Sequence, residues 1–417
     1  MTSHDHHTVW ANTKALQEAG LLHGKDMPPG HEVVMGDDGL ATGELLEFEA
    51  FTPVIALGGL ERMNIGIATG EEPSPEPTFA EREADKSHFE RGLQHCAKHG
   101  ITSMVTMDGN RYTLECLAEL RDQERLLARV KVPFHYKPHM DHSALDRASE
   151  MSKAFNDEWL SSGFVKMFMD GVIDSGTAFL LKDSPIFGDK SQPLFPPEVF
   201  LPLAVEIDRR GLQIAVHAIG DAAVRLTIDG YEAAQKANGP RDSRHRIEHI
   251  ELIDKSDIPR LAQLGITASL QPSHPPGAMD FGKEPTLTTI GRDRWKDAYL
   301  HKTLAQARAK IAYASDWPVT DVSVLRSIKA ALTRKPYSED CSDERLTLHE
   351  VLFAYTAGGA WAAHLDHITG TLKEGMAGDI VLLSGDIEET PPEKIDQLEI
   401  ALTLCGGKVT HRAEVSH

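Results

Sequence analysis

Cysteine is scarce in this chain of 417 residues, and its four cysteines stand far apart without a CxxC pair: Cys96, Cys116, Cys341 and Cys405. This spacing excludes a disulfide framework and a zinc ribbon, and it is typical of a protein from a reducing cytoplasm. No run approaches the roughly 18 consecutive apolar residues of a transmembrane helix. The first residues are polar and do not resemble a signal peptide. We therefore expect a cytoplasmic protein that does not enter a membrane.

The chain also lacks a block of basic residues. With 43 Lys and Arg against 63 Asp and Glu, its formal net charge is −20, which argues against binding to nucleic-acid phosphates. Its 41% hydrophobic and 25% charged residues are typical of a soluble globular enzyme. A small molecule is therefore the expected partner. The length suffices for one large α/β barrel with a smaller unit, or for two ordinary domains.

Apolar runs of strand length alternate with helical patterns over most of the chain. Strands are predicted at residues 101–107, 130–136, 164–169, 213–217, 245–250, 267–271 and 310–314. Helices are predicted at residues 8–22, 78–99, 114–124, 146–159, 197–210, 221–238, 255–264, 297–309, 325–333, 347–356 and 360–365. This alternation predicts a parallel sheet, and seven strands are one short of a closed barrel.

The two ends of the chain have a different character. Residues 25–45 are rich in Gly, Pro and Asp and predict a loop or hairpin that turns at Asp37-Asp38-Gly39. The tail predicts a strand at 380–383 and a hairpin formed by 398–405 and 408–411. This tail of roughly 50 residues is too short to be a domain by itself.

Four of the predicted strands each carry, within the strand or just after it, one residue that is able to bind a metal: Lys166, His217, His249 and Asp316. The C-terminal ends of strands in a parallel α/β barrel converge, and such barrels keep their chemistry there. Imidazole nitrogen and carboxylate oxygen are ligands that zinc and similar ions prefer. A single strand-end histidine is more often structural, but this succession predicts a metal-dependent hydrolase in which Asp316 also accepts a proton from water.

Lys166 is unusual because lysine is rarely buried without a partner. The alternation of strand side chains places it on one face with Phe164, Phe168 and Asp170. If that face is internal, burial lowers the pKa of the amine, and a neutral amine reacts with carbon dioxide to form a carbamate that bridges two metals. An ion pair with Asp170 is the alternative.

Residues next to these strands predict the rest of a polar pocket. We expect His274, at the end of the next strand, and Trp317, after Asp316, to contact substrate. Arg246 and Glu248 flank His249 and either orient the ligands or pair with each other.

Five motifs carry a resemblance to a known family. They are Val165-Lys166 with Asp170-Gly171, Val216-His217-Ala218-Ile219-Gly220-Asp221, Arg244-His245-Arg246-Ile247-Glu248-His249, Ser269-Leu270-Gln271-Pro272-Ser273-His274 and Ser315-Asp316-Trp317-Pro318. With them the chain resembles the amidohydrolase superfamily, in the YtcJ-like branch that includes N-substituted formamide deformylase. The likeness extends to both ends, where residues 3–16 resemble a substrate loop and residues 370–381 the return to a small β-sandwich.

The resemblance implies an α/β fold with a (β/α)₈ TIM-like barrel over residues 1–365, including a substrate-loop insertion at about 1–95, and a partial β-sandwich at 366–417. It implies one or two ions of zinc or another divalent transition metal on His217, His249 and Asp316, with Lys166 carbamylated. Beside these ligands, Asp170, His274 and Trp317 are the expected substrate contacts. The implied reaction is hydrolysis of an amide-like C–N bond by metal-activated water.

One departure from the family pattern concerns its His-x-His pair, which follows the first barrel strand. His4-Asp5-His6 fits the spacing, but no strand leads into it, and we interpret it as a false match. The first strand and two ligands are therefore expected to be missing. A non-catalytic or mononuclear relative that binds a ligand, and an esterase or lactonase, stay open as alternatives. The open barrel edge predicts pairing with another chain, such as a homo-oligomer, or cover by an N-terminal segment.

Overall fold

The computed structural model describes residues 1–3, 6–58, 62–188 and 192–414. Its strands are β1 Thr8–Trp10, β2 Glu32–Met35, β3 Ala41–Leu46, β4 Ser103–Val105, β5 Arg129–Lys131, β6 Phe134–His135, β7 Leu160–Ser161, β8 Phe164–Phe168, β9 Gln213–Ala218, β10 Arg246–His249, β11 Thr267–Leu270, β12 Lys310–Tyr313, β13 Ile380–Leu383, β14 Ile400–Cys405 and β15 Lys408–Arg412. Its α-helices are α1 Thr13–Glu18, α2 Phe48–Leu57, α3 Ile65–Thr69, α4 Phe79–Lys98, α5 Arg111–Asp122, α6 Leu145–Ala154, α7 Pro197–Arg209, α8 Asp221–Asn238, α9 Ile258–Gln263, α10 Thr286–Ile290, α11 His301–Gln306, α12 Val324–Thr333, α13 Leu348–Phe353 and α14 Gly359–Ala362.

Parallel strands in chain order form the centre of the molecule. The sheet order is β6-β8-β9-β10-β11-β12, and β4-β5-β7 form a second parallel group. β5 and β6 are two pieces of one extended run, as are β7 and β8. The Val132 amide donates to the Ser161 carbonyl at 2.9 Å, which joins the two groups. All seven predicted strands are therefore confirmed, and the α/β class with them.

The central strands are apolar without alternation because both of their faces are covered. Every residue of β9 and β11 is buried. Helices α7 and α8 pack closely against each other, and a side chain at Gly230 would lie 2.3 Å from the Phe200 ring. This close approach requires glycine.

The two outer strands of this array are not paired with each other. In the described ranges, β4 pairs with β5 alone and β12 with β11 alone. A cavity of about 1660 Å³ is lined by both strands. The N-terminal unit does not bridge them; its His7 ring lies against Phe168 and His217, on β8 and β9. Pairing of the N-terminal strands with β4 or β12 is absent from the described ranges, and cover by an N-terminal segment and pairing with another chain both stay predictions.

The N-terminal unit is an antiparallel sheet, β1-β3-β2, with its own small core that includes Val9, Leu45 and Phe51. The helix predicted for residues 8–22 is wrong over β1, where Thr8 pairs with Leu46. Cross-strand packing of β-branched and aromatic residues outweighs the helical pattern there. The predicted hairpin is confirmed as β2 and β3.

The C-terminal strands form an antiparallel unit, β13-β14-β15, as predicted for the tail. Asp379 attaches it to the parallel strands: its carboxylate pairs with buried Arg129 and accepts hydrogen bonds from the Thr369 hydroxyl and the Gly406 amide, both at 2.7 Å. The domain boundary at 365 stays a prediction. Within the described ranges, no helix has the length and apolar character needed to cross a membrane.

Candidate functional site

Three side chains at the ends of neighbouring strands bring ligand atoms together. His249 ends β10, His274 follows β11 and Asp316 follows β12; one ligand atom of each lies within 4.8 Å of the other two. The His274 Nε2 lies 3.6 Å from an Asp316 carboxylate oxygen. The His249 and His274 rings are stacked, with centroids 5.7 Å apart. Two imidazoles and a carboxylate match the donor set of catalytic zinc sites.

The backbone at this cluster is strained. His249 has φ 80°, Ile250 has φ 48° and Asp316 has φ 56°, all in the left-handed region that favours glycine. Residues with side chains hold such conformations only where the surrounding structure determines them, and they concentrate at functional sites.

His249 is held by a neighbouring amide. Its Nδ1 lies 2.9 Å from the Gln271 side-chain oxygen. Because that oxygen can only accept, Nδ1 carries the hydrogen, and Nε2 of the neutral ring keeps a lone pair for a ligand. Burial lowers the pKa of His249 and outweighs the opposing influence of Asp316. The ring is therefore neutral at pH 7, as metal binding requires.

His217, on the neighbouring strand β9, is also oriented by a hydrogen bond from its ring. Its Nε2 donates to the Gly171 carbonyl at 3.0 Å, so Nδ1 keeps the lone pair. Its ring centroid lies 4.6 Å from that of His249. Burial lowers its pKa well below the usual value, and the neighbouring His249 and His7 act in the same direction.

Lys166 lies inside the array, 2% exposed, and lines the same cavity. Its Nζ lies 4.2 Å from the centroid of the Phe168 ring. Burial lowers its pKa to about 8, although Glu248 and Asp316 act to raise it. No carboxylate of the described residues lies within ion-pair distance of its Nζ, so the ion pair with Asp170 is not formed.

His274 has an unsatisfied nitrogen. Its Nε2 is buried and, among the described residues, has no hydrogen-bond partner. Its Nδ1 lies 3.6 Å from a Glu251 oxygen. Buried nitrogens without partners are rare and indicate a water, ion or ligand. An ion on His249, His274 and Asp316 would satisfy this atom, so the donor set fits a metal.

The pKa of Asp316 is set by burial and by neighbouring basic groups. Burial acts to raise its pKa, but His249, His274 and Lys166 outweigh burial and lower it. The carboxylate is therefore ionised and able to bind a cation or accept a proton.

The other two predicted substrate contacts differ in position, since Trp317 lines the cavity and Asp170 does not. Asp170 is fully buried, does not line the cavity, and accepts hydrogen bonds from the amides of Phe179, Ile219 and Gly220. Burial raises its pKa to about 8. The prediction that it contacts substrate is corrected: it fixes the backbone after β8 and β9. Trp317 lines the cavity, 46% exposed, with its ring 5.4 Å from that of His95.

The flanking pair of β10 is formed. Arg246 Nε donates to Glu248 at 2.6 Å, and a second guanidinium nitrogen donates to Ser269 at 2.8 Å. Both charged residues are buried and line the cavity below the histidines. Of the two interpretations, mutual pairing is the observed one.

Sequence reasoning missed His7 and Glu47. The resemblance of residues 3–16 to a substrate loop was the only signal, and it pointed to a segment rather than to a residue. Of the predicted false match, His4 and Asp5 lie outside the described residues, and His6 is exposed.

The chain is similar to several known proteins. A profile of the amidohydrolase family matches residues 1–411. The chain is 30% identical over 97% of its length to Protein LONG AFTER FAR-RED 3 of Arabidopsis thaliana, covering 67% of that protein. It is 27% identical over 97% of its length to the putative amidohydrolase YtcJ of Bacillus subtilis, covering 72% of it.

Two more distant proteins are also similar. The chain is 23% identical over 96% of its length to N-substituted formamide deformylase of Arthrobacter pascens, covering 71% of it. Its fold resembles the crystal structure of an uncharacterized metal-dependent hydrolase from Pyrococcus horikoshii, with a TM-score of 0.66 and 22% identity, over 89% of this chain and 68% of that one. The chain belongs to the amidohydrolase family, in the YtcJ-like group that its motifs predict.

Proposed function

We propose that this chain is a metal-dependent hydrolase that cleaves an amide-like C–N bond of a small molecule. The observation that carries the proposal is the set of ligand atoms on His249, His274 and Asp316, within 4.8 Å of one another in a large cavity. We further propose that the seven parallel strands are those of a (β/α)₈ barrel, because chemistry at the C-terminal strand ends is general in that fold.

The residues proposed to hold a divalent ion, zinc or a similar transition metal, are His249, His274 and Asp316. When bound, such an ion lowers the pKa of a water molecule toward neutrality and polarises a carbonyl group. The role of His274 is thereby extended from a substrate contact to a ligand, because its buried Nε2 otherwise lacks a partner.

Proton transfer and the orientation of the ligands are assigned to residues of the chain. Asp316, ionised beside two histidines, is the proposed acceptor of the proton of the attacking water. The water oxygen forms a bond to the carbonyl carbon, the C–N bond breaks, and Asp316 returns the proton to the leaving nitrogen. The products are a carboxylic acid and an amine. Gln271 keeps His249 in the required tautomer.

Lys166 and His217 are proposed to hold a second ion beside the first. Supporting observations are the short distance between the His217 and His249 rings and the burial of Lys166 without a carboxylate partner. Addition of carbon dioxide to the neutral Lys166 amine forms an N–C bond and releases a proton. The carbamate is a carboxylate-like ligand for two ions.

The name of the formamide deformylase relative suggests the first substrates to test. A panel of N-alkyl and N-aryl formamides and acetamides, with matched esters and lactones, separates amide from ester hydrolysis, since a fold and a metal do not determine the scissile bond. We expect turnover of at least one amide, and turnover of esters alone would refute the amide assignment.

Metal content tests the ligand set directly. After loading with zinc, we expect Asp316→Asn and His274→Gln to lose bound ion and to lower kcat by at least about 100-fold, the scale of an essential proton-transfer group. Lys166→Met is expected to reduce the ion content from two to one per chain and to make the ion content independent of bicarbonate. Asp321→Asn, a carboxylate outside the cavity on the same segment, is the control. Wild-type ion content and activity in Asp316→Asn would refute the site.

A further inference from the structure

His7 reaches the cavity from the N-terminal unit instead of from the parallel strands. It is 7% exposed. Its ring centroid lies 5.2 Å from His217, 5.9 Å from Phe48 and 6.3 Å from Phe168. The imidazole therefore forms part of the wall beside the proposed metal ligands, and the mechanism above does not use it.

A buried carboxylate fixes the His7 ring. Its Nδ1 lies 2.7 Å from a Glu47 oxygen, and the Glu47 side chain is 1% exposed. The other Glu47 oxygen accepts a hydrogen bond from the Thr177 hydroxyl at 2.7 Å. The Glu47 amide also donates to the His7 carbonyl at 2.9 Å. An ionised carboxylate can accept hydrogen bonds but cannot donate them, so Nδ1 carries the hydrogen. This sets the tautomer and the orientation of the ring.

The backbone at Glu47 shows that this arrangement is enforced. Glu47 has φ 66° and ψ 164°, a region that is essentially restricted to glycine. A glutamate remains there only where its side-chain and main-chain contacts outweigh the strain. The strained residue, its carboxylate and the His7 imidazole therefore form one unit.

Gly171 connects this unit to the proposed metal ligands. A side chain at Gly171 would place its Cβ 1.9 Å from a Glu47 carboxylate oxygen. The Gly171 carbonyl accepts the hydrogen bond of His217 Nε2 at 3.0 Å. Glu47 is therefore packed directly on the peptide that orients His217, and His7 stands next to that ring.

We propose that His7 is a substrate-binding residue, oriented by Glu47 to hydrogen-bond the polar group of the small amide in this cavity. The inference rests on the proposed function and adds a residue to it. Glu47 acts through His7 and is a positioning residue. The N-terminal unit thereby contributes directly to the site, and Phe48 of this unit and Phe168 of β8 form an aromatic surface beside the imidazole.

Steady-state kinetics of His7→Asn and Glu47→Gln test the inference on the best amide of the panel. Loss of a hydrogen bond in a buried site is expected to raise KM by about tenfold, with ion content unchanged. The double variant should equal His7→Asn alone, because coupled residues are not additive. His31→Asn, at a half-buried histidine that precedes β2 and lies outside the cavity, is the control. Glu47→Gln, which keeps side-chain size, replaces His7→Asn if that variant folds poorly.

Unchanged KM in His7→Asn would overturn the inference, and additive effects in the double variant would assign the pair a purely structural role. If the wild-type chain binds no ion and hydrolyses no amide, the proposed function is refuted, and the role of His7 is then tested independently of catalysis. Binding is then followed by NMR of ¹⁵N-histidine-labelled chain titrated with N-benzylformamide. A shift of the signal that is absent from His7→Asn supports the role of His7, and an unchanged signal refutes it.

Discussion

Backbone strain and close contacts coincide at the residues that bear the proposed chemistry. His249, Asp316 and Glu47 all have positive φ, and all three line the site or position a residue that does. Strain of this kind costs folding energy and keeps each side chain in one orientation. The ligands are therefore arranged before any ion or substrate binds, which reduces the reorganisation that the reaction requires.

At the residue scale, Gly171 provides a sharp prediction. In Gly171→Ala the new Cβ would lie 1.9 Å from Glu47 and 2.1 Å from the Thr177 hydroxyl, so Glu47 must move. We expect a loss of about 1–3 kcal/mol in unfolding free energy, as for overpacked sites, together with the KM increase of Glu47→Gln. Urea unfolding and kinetics measure both.

Gly92→Ala is the matched control, because a Cβ there meets nothing within 4 Å on a regular helix. It should be neutral or stabilising by up to about 1 kcal/mol. Equal stability of Gly171→Ala and the wild-type chain would show that Glu47 is not held in place by its packing against Gly171.

At the scale of elements, one ion pair joins the C-terminal strands to the parallel sheet. Arg129 and Asp379 are buried, and their pair connects β5 with β13–β15. Burial acts to raise the pKa of Asp379, but the contacts of Arg129, Thr369 and Gly406 outweigh it and lower the pKa. Removal of one partner of a buried pair leaves the other charge uncompensated.

Asp379→Asn is therefore expected to reduce the unfolding free energy at pH 7 by about 3–5 kcal/mol. The stability from Asp379 is fully present above the pKa of an unfolded aspartate, about 3.9, and is lost as the pH falls below it toward the folded-state pKa. In urea unfolding between pH 3 and 7, the unfolding free energy should fall less steeply with decreasing pH in Asp379→Asn than in the wild-type chain. The exposed carboxylate variant Asp386→Asn is the control, and identical pH slopes would contradict the assignment.

At the scale of the whole molecule, apolar side chains stay exposed around the C-terminal unit. Leu372 is 74% and Leu382 56% exposed, and neighbouring Ile380 and Val381 are about 40% exposed. Surfaces of this kind mark contacts with other chains, which agrees with the prediction of a homo-oligomer. Repulsion from the net charge of −20 opposes association, so higher salt should favour it.

Sedimentation velocity of Leu372→Glu with Leu382→Glu tests this prediction. We expect smaller species and an unchanged melting temperature, because neither side chain is buried. Leu57→Glu, at a position of the N-terminal unit that is 48% exposed, is the control. A wild-type monomer at micromolar concentration would refute the prediction.

Local patterns were sufficient for the seven parallel strands and for β13–β15, since most of these strands are short segments rich in apolar residues. The same logic was wrong at β1, where the strand is stabilised by pairing with β3, some 35 residues further along the chain. Of the site, His249 and Asp316 were identified because strand ends meet in a parallel array.

By itself the sequence determined the α/β class, the family and the strand-end residues, because periodicity and strand order are local properties of the chain. Only the tertiary structure decided that His274 joins His249 and Asp316, that Asp170 holds the backbone, and that His7, held by Glu47, lines the cavity. The reason is physical: distances between side chains, burial and the choice of hydrogen-bond partner depend on segments that are far apart in sequence and meet only on folding.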